Sequence, residues 1–349
     1  MSDTPQIAFL FTGQGAQYPG MGAGLVEASP AAAAVFAAAD AACPGTYERC
    51  LSADAEELAR TRVTQPTVLA VDLACARMLE EAGIYPTAVA GFSLGEVGAL
   101  AFAGVFDDRT ALILIAQRAG LMDEAAHATH GGMRAVLGKT VAELAALLEE
   151  SGASDLEIAN FNAPTQTVVS GPHTELAVLG DFLRSRGVRS VPLAVSGAFH
   201  SDLMRPAADG FAPILAQTSF AAAQIPVYGN VSGEPYPLQA TNAGSLSQFD
   251  EAQAKMLLAR QIASPVQWTH TLENLQVAGA THFVEVGPGA VLTGLVRKTL
   301  PGAWCRSVSN AEQARAVAAE LNGIRDGSSF AQQRVKEEPS PCQREEQLA

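Results

Sequence analysis

The sequence predicts an α/β fold whose main sheet is largely parallel, and three observations carry that prediction. Short apolar strands alternate with Ala- and Leu-rich helical patterns. Glycine-rich loops follow two of those strands. A central segment, 131–196, breaks the alternation with a β-α-β-β-α-β order of its own.

The first strand is expected at Gln6 to Thr12, ending in the loop Gly13-Gln14-Gly15-Ala16-Gln17-Tyr18-Pro19-Gly20-Met21-Gly22. Helical patterns follow at Pro30 to Ala42 and Thr67 to Ala82. A strand at Thr87 to Phe92 then runs into Ser93 and a helix that starts near Gly95. Within 131–196, Met133 to Leu137 reads as a strand and Val141 to Glu150 as a helix. Leu156 to Phe161 and Thr167 to Ser170 form a hairpin around Asn162-Ala163-Pro164, and Glu175 to Arg186 a second helix. Arg189 to Val195 is the last strand, giving a ferredoxin-like small subdomain inserted into the larger one. The alternation resumes at Gly197, with strands at Pro226 to Asn230 and Thr281 to Val286. Residues 1–130 and 197–310 are thus expected to form one discontinuous large subdomain. Residues 311–349 should hold a C-terminal helix and then a tail. From Ser328 to Ala349 that tail carries Gln, Glu, Lys and Pro with almost nothing apolar, so it is expected to be disordered.

Composition narrows the function. Of 349 residues, 48% are hydrophobic and 17% charged, a globular balance. Lys+Arg 22 against Asp+Glu 36 leaves a net charge of −14, which argues against nucleic acid or an anionic membrane as the main partner. Met1 to Leu10 lacks the basic start of a secretory signal, and the strongest apolar run, Ala111 to Ala116, is too short to span a bilayer. The five cysteines are scattered without a CxxC pair, so neither a disulfide framework nor a zinc site is expected, and a cytoplasmic location is.

The sharpest motif is Gly91-Phe92-Ser93-Leu94-Gly95. A strand that ends in GxSxG and opens a helix is the nucleophile elbow of an α/β-hydrolase-like body. Its glycines permit the turn that lifts the serine hydroxyl off the sheet, and the helix N-terminus behind it offers amides to a developing oxyanion. The same residues also fit a turn in which the serine merely caps the helix. Of six histidines, His127 and His130 fall in a polar connector, and His173 and His282 flank expected elements. His270 sits beside Trp268, where core packing is the plainer reading. His200, in Ser196-Gly197-Ala198-Phe199-His200-Ser201, stands where the inserted unit returns to the body, at the edge of an inter-subdomain cleft, and is the candidate base. No convincing acid lies between Ser93 and His200, and Asp202 is too close to the histidine in sequence, which weakens an esterase reading. Gly13-Gln14-Gly15 lacks the third glycine of a dinucleotide loop and fits better as amides aimed at an oxygen. Gly287-Pro288-Gly289 reads as a tight turn. Arg118, next to an apolar stretch, must meet an internal carboxylate or that of a ligand, and the internal partner is the default.

Taken together, the blocks FLFTGQGAQYPGMG (Phe9 to Gly22), VTQPTVLA (Val63 to Ala70), GFSLGE (Gly91 to Glu96), QRAGLM (Gln117 to Met122), VSGAFHSDLM (Val195 to Met204), QIASPVQW (Gln261 to Trp268) and EVGPGAVLTGL (Glu285 to Leu295) resemble, in order, the malonyl-CoA:acyl-carrier-protein transacylases and the acyltransferase domains of polyketide synthases. The resemblance implies an α/β body with a ferredoxin-like subdomain. It makes Ser93 the acylated nucleophile and His200 its base, with the backbone amides of Gln14 and Leu94 as oxyanion hole. Arg118 would clamp the free carboxylate of a malonyl group, a backbone carbonyl at Gln261 would orient the histidine, and Asn162 and Gln65 would line the site. Leu94 and the Gly-Ala-Phe-His run resemble malonyl-selecting members, whereas methylmalonyl-selecting ones tend to carry Gln and Tyr-Ala-Ser-His; Phe199 would narrow the space beside the α-carbon. Phe92 departs from the His that many members place before the serine. The expected reaction moves malonyl from malonyl-CoA to the phosphopantetheine thiol of an acyl carrier protein, by a monomer with no metal or bound cofactor. A trans-acting polyketide acyltransferase with another extender or carrier and, further off, a serine acyl hydrolase are the alternatives; a silent docking subunit is disfavoured by intact Ser93, His200 and Arg118. Because acyl carriers are acidic, Arg184, Arg186 and Arg189 on the small subdomain are a candidate docking patch.

Overall fold

The computed structural model describes residues 5–239 and 248–325, so the expected tail falls outside the described residues. The body runs through β1 (Ile7–Phe11), α1 (Leu25–Ala28), α2 (Pro30–Ala42), α3 (Thr46–Ser52), α4 (Ala55–Ala59), α5 (Thr61–Glu81), β2 (Ala88–Gly91), α6 (Gly95–Phe102) and α7 (Asp108–Thr129). The inserted segment carries β3 (Gly131–Leu137), α8 (Val141–Ser151), β4 (Glu157–Ala163), β5 (Gln166–Pro172), α9 (His173–Ser185) and β6 (Ser190–Pro192). After a short 3-10 turn the body continues with α10 (Arg205–Gln217), β7 (Val227–Tyr228), β8 (Leu238–Gln239), β9 (Gln248–Phe249), α11 (Glu251–Gln261), α12 (Trp268–Val277), β10 (His282–Val286), α13 (Val291–Thr299), β11 (Trp304–Val308) and α14 (Ala311–Arg325).

Five strands, in the order β11-β10-β1-β2-β7, make an all-parallel sheet. The central strand β1 reads Ile-Ala-Phe-Leu-Phe and is buried on both faces, as a parallel strand covered by helices on each side must be. The second sheet, β4-β5-β3-β6, is antiparallel and has the ferredoxin-like order. Its edge is stitched to the body: the amides of Phe161 and Val266 donate to the carbonyls of Val266 and Ala159, each at 2.9 Å. That seam places the small sheet over the C-terminal ends of β1 and β2, where ligands bind in open parallel sheets.

Several boundaries differ from the sequence expectation, and each difference has a cause. The helix expected from Thr67 begins at Thr61, with Pro66 inside it, because Thr61, Thr64 and Gln65 are buried and packing overrides the proline. The last strand of the insert is only Ser190–Pro192, since one more bond, from the Leu193 amide to Met133 O at 2.9 Å, ends its pairing with β3 and Leu193 to Val195 turn to line the cleft. Strand β11 was not anticipated: its alternation places Trp304 and Arg306 against Glu320 of α14, so it carries the polar pattern of an edge. His127 belongs to α7 rather than to a connector, and His270 is exposed on α12 rather than packed in the core. No helix among the described residues is long and apolar enough to cross a membrane.

Candidate active site

The nucleophile elbow is built by two close approaches. A Cβ on Gly91 would lie 2.0 Å from the carbonyl carbon of Gly95, and one on Gly95 would lie 2.4 Å from the carbonyl oxygens of Phe11 and Thr12. Only glycine fits at either position, so the turn between β2 and α6 can be tight enough to hold Ser93 at φ 53, a region L residues rarely adopt. Phe92, where a histidine is expected from the resemblance, packs its ring edge-on against Trp268 (centroids 5.3 Å apart, 68° between planes) at the cleft wall.

His200 lies opposite, also at positive φ (61), with Nε2 2.8 Å from Ser93 Oγ. Its Nδ1 faces two carbonyls, Gln261 O at 3.0 Å and Ser264 O at 3.2 Å. A carbonyl can only accept, so Nδ1 carries the proton and Nε2 presents its lone pair to the serine hydroxyl. The acid that no reading of the sequence could place is therefore replaced by backbone: the stretch from Gln261 to Ser264 at the end of α11 orients the ring. Burial, and after it the positive charge of Arg118, pushes the imidazole down to about 4, while the two carbonyl bonds pull it back up. At neutral pH it is an unprotonated base.

Arg118 comes from α7 and is 0% exposed. Its Nη1 donates to Gln65 Oε1 at 2.8 Å, and Nη2 to Gln261 Oε1 at 2.7 Å and to Ser93 Oγ at 3.2 Å. Its Nε has no partner. The internal carboxylate expected as default is absent from its hydrogen bonds; Glu96 acts on it only at a distance, through its charge. Burial lowers the guanidinium to about 10, so it stays a cation at neutral pH. The reason is topological: Gln65 and Gln261 supply neutral oxygens from α5 and α11, which leaves the guanidinium beside Ser93 Oγ with no carboxylate in direct contact.

Ser93, His200 and Gln65 line a cleft of about 450 Å³ between the two sheets, together with Gln14, Leu94, Met133, Asn162 and Phe199, and Arg118 lies buried behind its wall, reaching Ser93 Oγ through Nη2. Leu94 stands at the N-cap of α6, so its amide has no partner within the helix, and Gln14 follows β1 across the cleft. Gln14 Nε2 and Asn162 Oδ1 are both buried without a partner, leaving one donor and one acceptor for a ligand. Phe199 is buried and its carbonyl is pinned by Ser170 Oγ at 2.7 Å, which fixes the segment that delivers His200. A larger groove, about 1240 Å³ between α10 and α11, holds none of the site residues foreseen from sequence. Of the proposed docking cations, Arg184 is paired with Asp181 and Arg186 with Glu150, both in solvent.

Three residues escaped sequence reasoning. Ser264 acts only through its carbonyl and leaves no side-chain signal. Asn230 closes the end of a strand expected from pattern alone; its Oδ1 accepts from the Ser93 amide at 2.7 Å. Glu96 lies in the GFSLGE block but reads there as an ordinary helix-start acid.

Known proteins share this architecture. The chain is 37% identical over 302 residues to the malonyl CoA-acyl carrier protein transacylase of Bacillus subtilis, covering 84% of this chain and 90% of that protein. It is 39% identical over 321 residues to the polyketide biosynthesis protein ThaF of Burkholderia thailandensis, covering 89% of this chain but 26% of that longer protein. Among solved structures, a malonyl-transacylase in complex with its type II polyketide synthase acyl-carrier protein superposes with a TM-score of 0.82 at 32% identity, over 90% of this chain and 99% of that one. Residues 8–335 match the acyl transferase domain family, and the chain belongs to that family.

Proposed function

We propose that this acyltransferase moves a malonyl group from malonyl-CoA to the phosphopantetheine thiol of an acyl carrier protein through a malonyl ester on Ser93. The observation that carries the reading is Arg118: a buried cation, 3.2 Å from the nucleophilic oxygen, that no carboxylate of the described residues neutralises by direct contact. An acyl group that ends in a carboxylate supplies what the site lacks. The relatives named as malonyl transacylases support the same reading.

In the first half-reaction Ser93 Oγ attacks the thioester carbonyl and passes its proton to His200 Nε2. The oxyanion forms between the amides of Gln14 and Leu94, and the CoA thiolate leaves, taking the proton from His200. In the second, His200 removes the proton from the carrier thiol, whose sulfur attacks the ester and returns Ser93 as a hydroxyl. Every side chain named comes from one polypeptide, so a monomer suffices, and the free cysteines Cys43, Cys50, Cys75 and Cys305 fit a reducing cytoplasm. A carrier of fatty-acid or of polyketide synthesis fits the malonyl-transacylase relatives; the identity to ThaF supports a discrete polyketide acyltransferase as the second reading.

The test is intact mass spectrometry of the chain with malonyl-CoA and a holo carrier. Malonyl-carrier should accumulate at a rate proportional to the enzyme. Release of free malonate without malonyl-carrier would make the protein a hydrolase instead.

A further inference from the structure

Behind the reacting groups lies a carboxylate to which the two half-reactions give no task. Glu96, in the first turn of α6, is 1% exposed. One of its oxygens accepts from the Tyr236 hydroxyl. The other accepts from the Asn230 amide and from Gln261 Nε2, each at 3.0 Å. Those two partners grip the Ser93 peptide from both sides: Asn230 Oδ1 takes its N–H at 2.7 Å, and Gln261 Nε2 donates to its carbonyl at 2.7 Å. Gln261 does more. Its backbone carbonyl holds His200 Nδ1 at 3.0 Å and its side-chain oxygen holds Arg118 Nη2 at 2.7 Å.

We propose that Glu96 is the positioning residue of this site: through Asn230 and Gln261 it holds the Ser93 peptide in its left-handed conformation, keeps His200 aimed at the hydroxyl, and sets Arg118 across from both. A buried carboxylate with no cation in direct contact is costly to keep, and it is tolerated here because three donors converge on it. Tyr236, itself 4% exposed, braces it from behind. Glu96 touches neither substrate nor any atom that changes bonds, so it acts only by geometry. The proposal rests on acyl transfer through Ser93.

The experiment compares Glu96→Leu and Tyr236→Phe with the wild-type full chain, counting competent sites by the amplitude of serine acylation and measuring kcat and KM for malonyl-CoA and acetyl-CoA with a holo carrier. Displacing reacting groups by about 1 Å costs on the order of 10²-fold. Glu96→Leu, which strands the Asn230 and Gln261 donors, should therefore lower kcat per acylated site by about that factor for both substrates, with KM nearly unchanged. Tyr236→Phe removes one donor and should lower kcat about tenfold in the same pattern; it decides the matter if the leucine variant does not fold. Unchanged kcat per site, or a loss confined to malonyl-CoA and expressed in KM, overturns the proposal, the latter by making Glu96 only a counter-charge to Arg118. If the wild-type chain takes no malonyl group at all, the acyl-transfer reading itself falls.

Discussion

His200→Ala is expected to slow acylation of Ser93 and transfer to the carrier alike, each by about 10²–10⁴, the usual worth of a positioned general base. Both halves fall together because the same Nε2, 2.8 Å from Ser93 Oγ, takes a proton in one and takes the thiol's in the other. The pH profile reads the same group. With the folded imidazole near 4, kcat/KM should be flat from neutral pH down to about 5 and fall tenfold per unit below about 4, since the neutral form is the active one. Between about pH 4 and 6.5 the unfolded chain holds a proton on this histidine that the folded chain refuses. The group therefore destabilises the fold increasingly as pH drops through that window, and His200→Ala removes that share of the dependence. An acid limb centred near 6.5 in the wild type would mean that the ring is solvated and the oriented tautomer is wrong.

Arg118→Ala separates a malonyl site from a general acyl site. A malonyl carboxylate must leave water to enter this cleft, and without a fixed cation that costs several kcal/mol. Removing one partner of such a buried pair typically costs about 2–5 kcal/mol, roughly 30- to several-thousand-fold in kcat/KM. Malonyl-CoA should lose that factor, while acetyl-CoA, with no carboxylate to strand, holds steady or improves. Arg118→Lys should fall between, because a lysine offers one mobile point charge where the guanidinium offers two parallel donors. Arg118→Ala also lifts one of the two causes that depress His200, so its acid limb with acetyl-CoA should move to higher pH. Equal losses for both substrates would make Arg118 a scaffold for Gln65 and Gln261 rather than a clamp.

How far the sequence reaches depends on whether a role belongs to a side chain or to the backbone. Ser93, His200 and Arg118 announce themselves because each needs a particular functional group in a particular local pattern, and the structure brings all three within one set of hydrogen bonds. The strand at Ala88–Gly91 is legible because a buried parallel strand needs an apolar run between turn residues, and His282–Val286 is legible from Phe283, Val284 and Val286 ahead of Gly287-Pro288-Gly289, although Glu285 interrupts the run to accept the amides of Leu292 and Thr293. Ser264 is illegible because any residue carries a carbonyl. Glu96 and Asn230 are illegible because their partners lie 165 and 137 positions away in the chain, a pairing that only the closed sheet creates. The start of α5 failed for the opposite reason: Pro66 is a strong local signal, and long-range burial of Thr61 and Thr64 outweighed it.

The most direct measurement is the intact mass of the protein after mixing with malonyl-CoA alone, with no carrier present. The account predicts a single added malonyl group that maps to Ser93, is absent from Ser93→Ala, and disappears when a holo carrier is added. An adduct on a cysteine, or one that persists in Ser93→Ala, would contradict it.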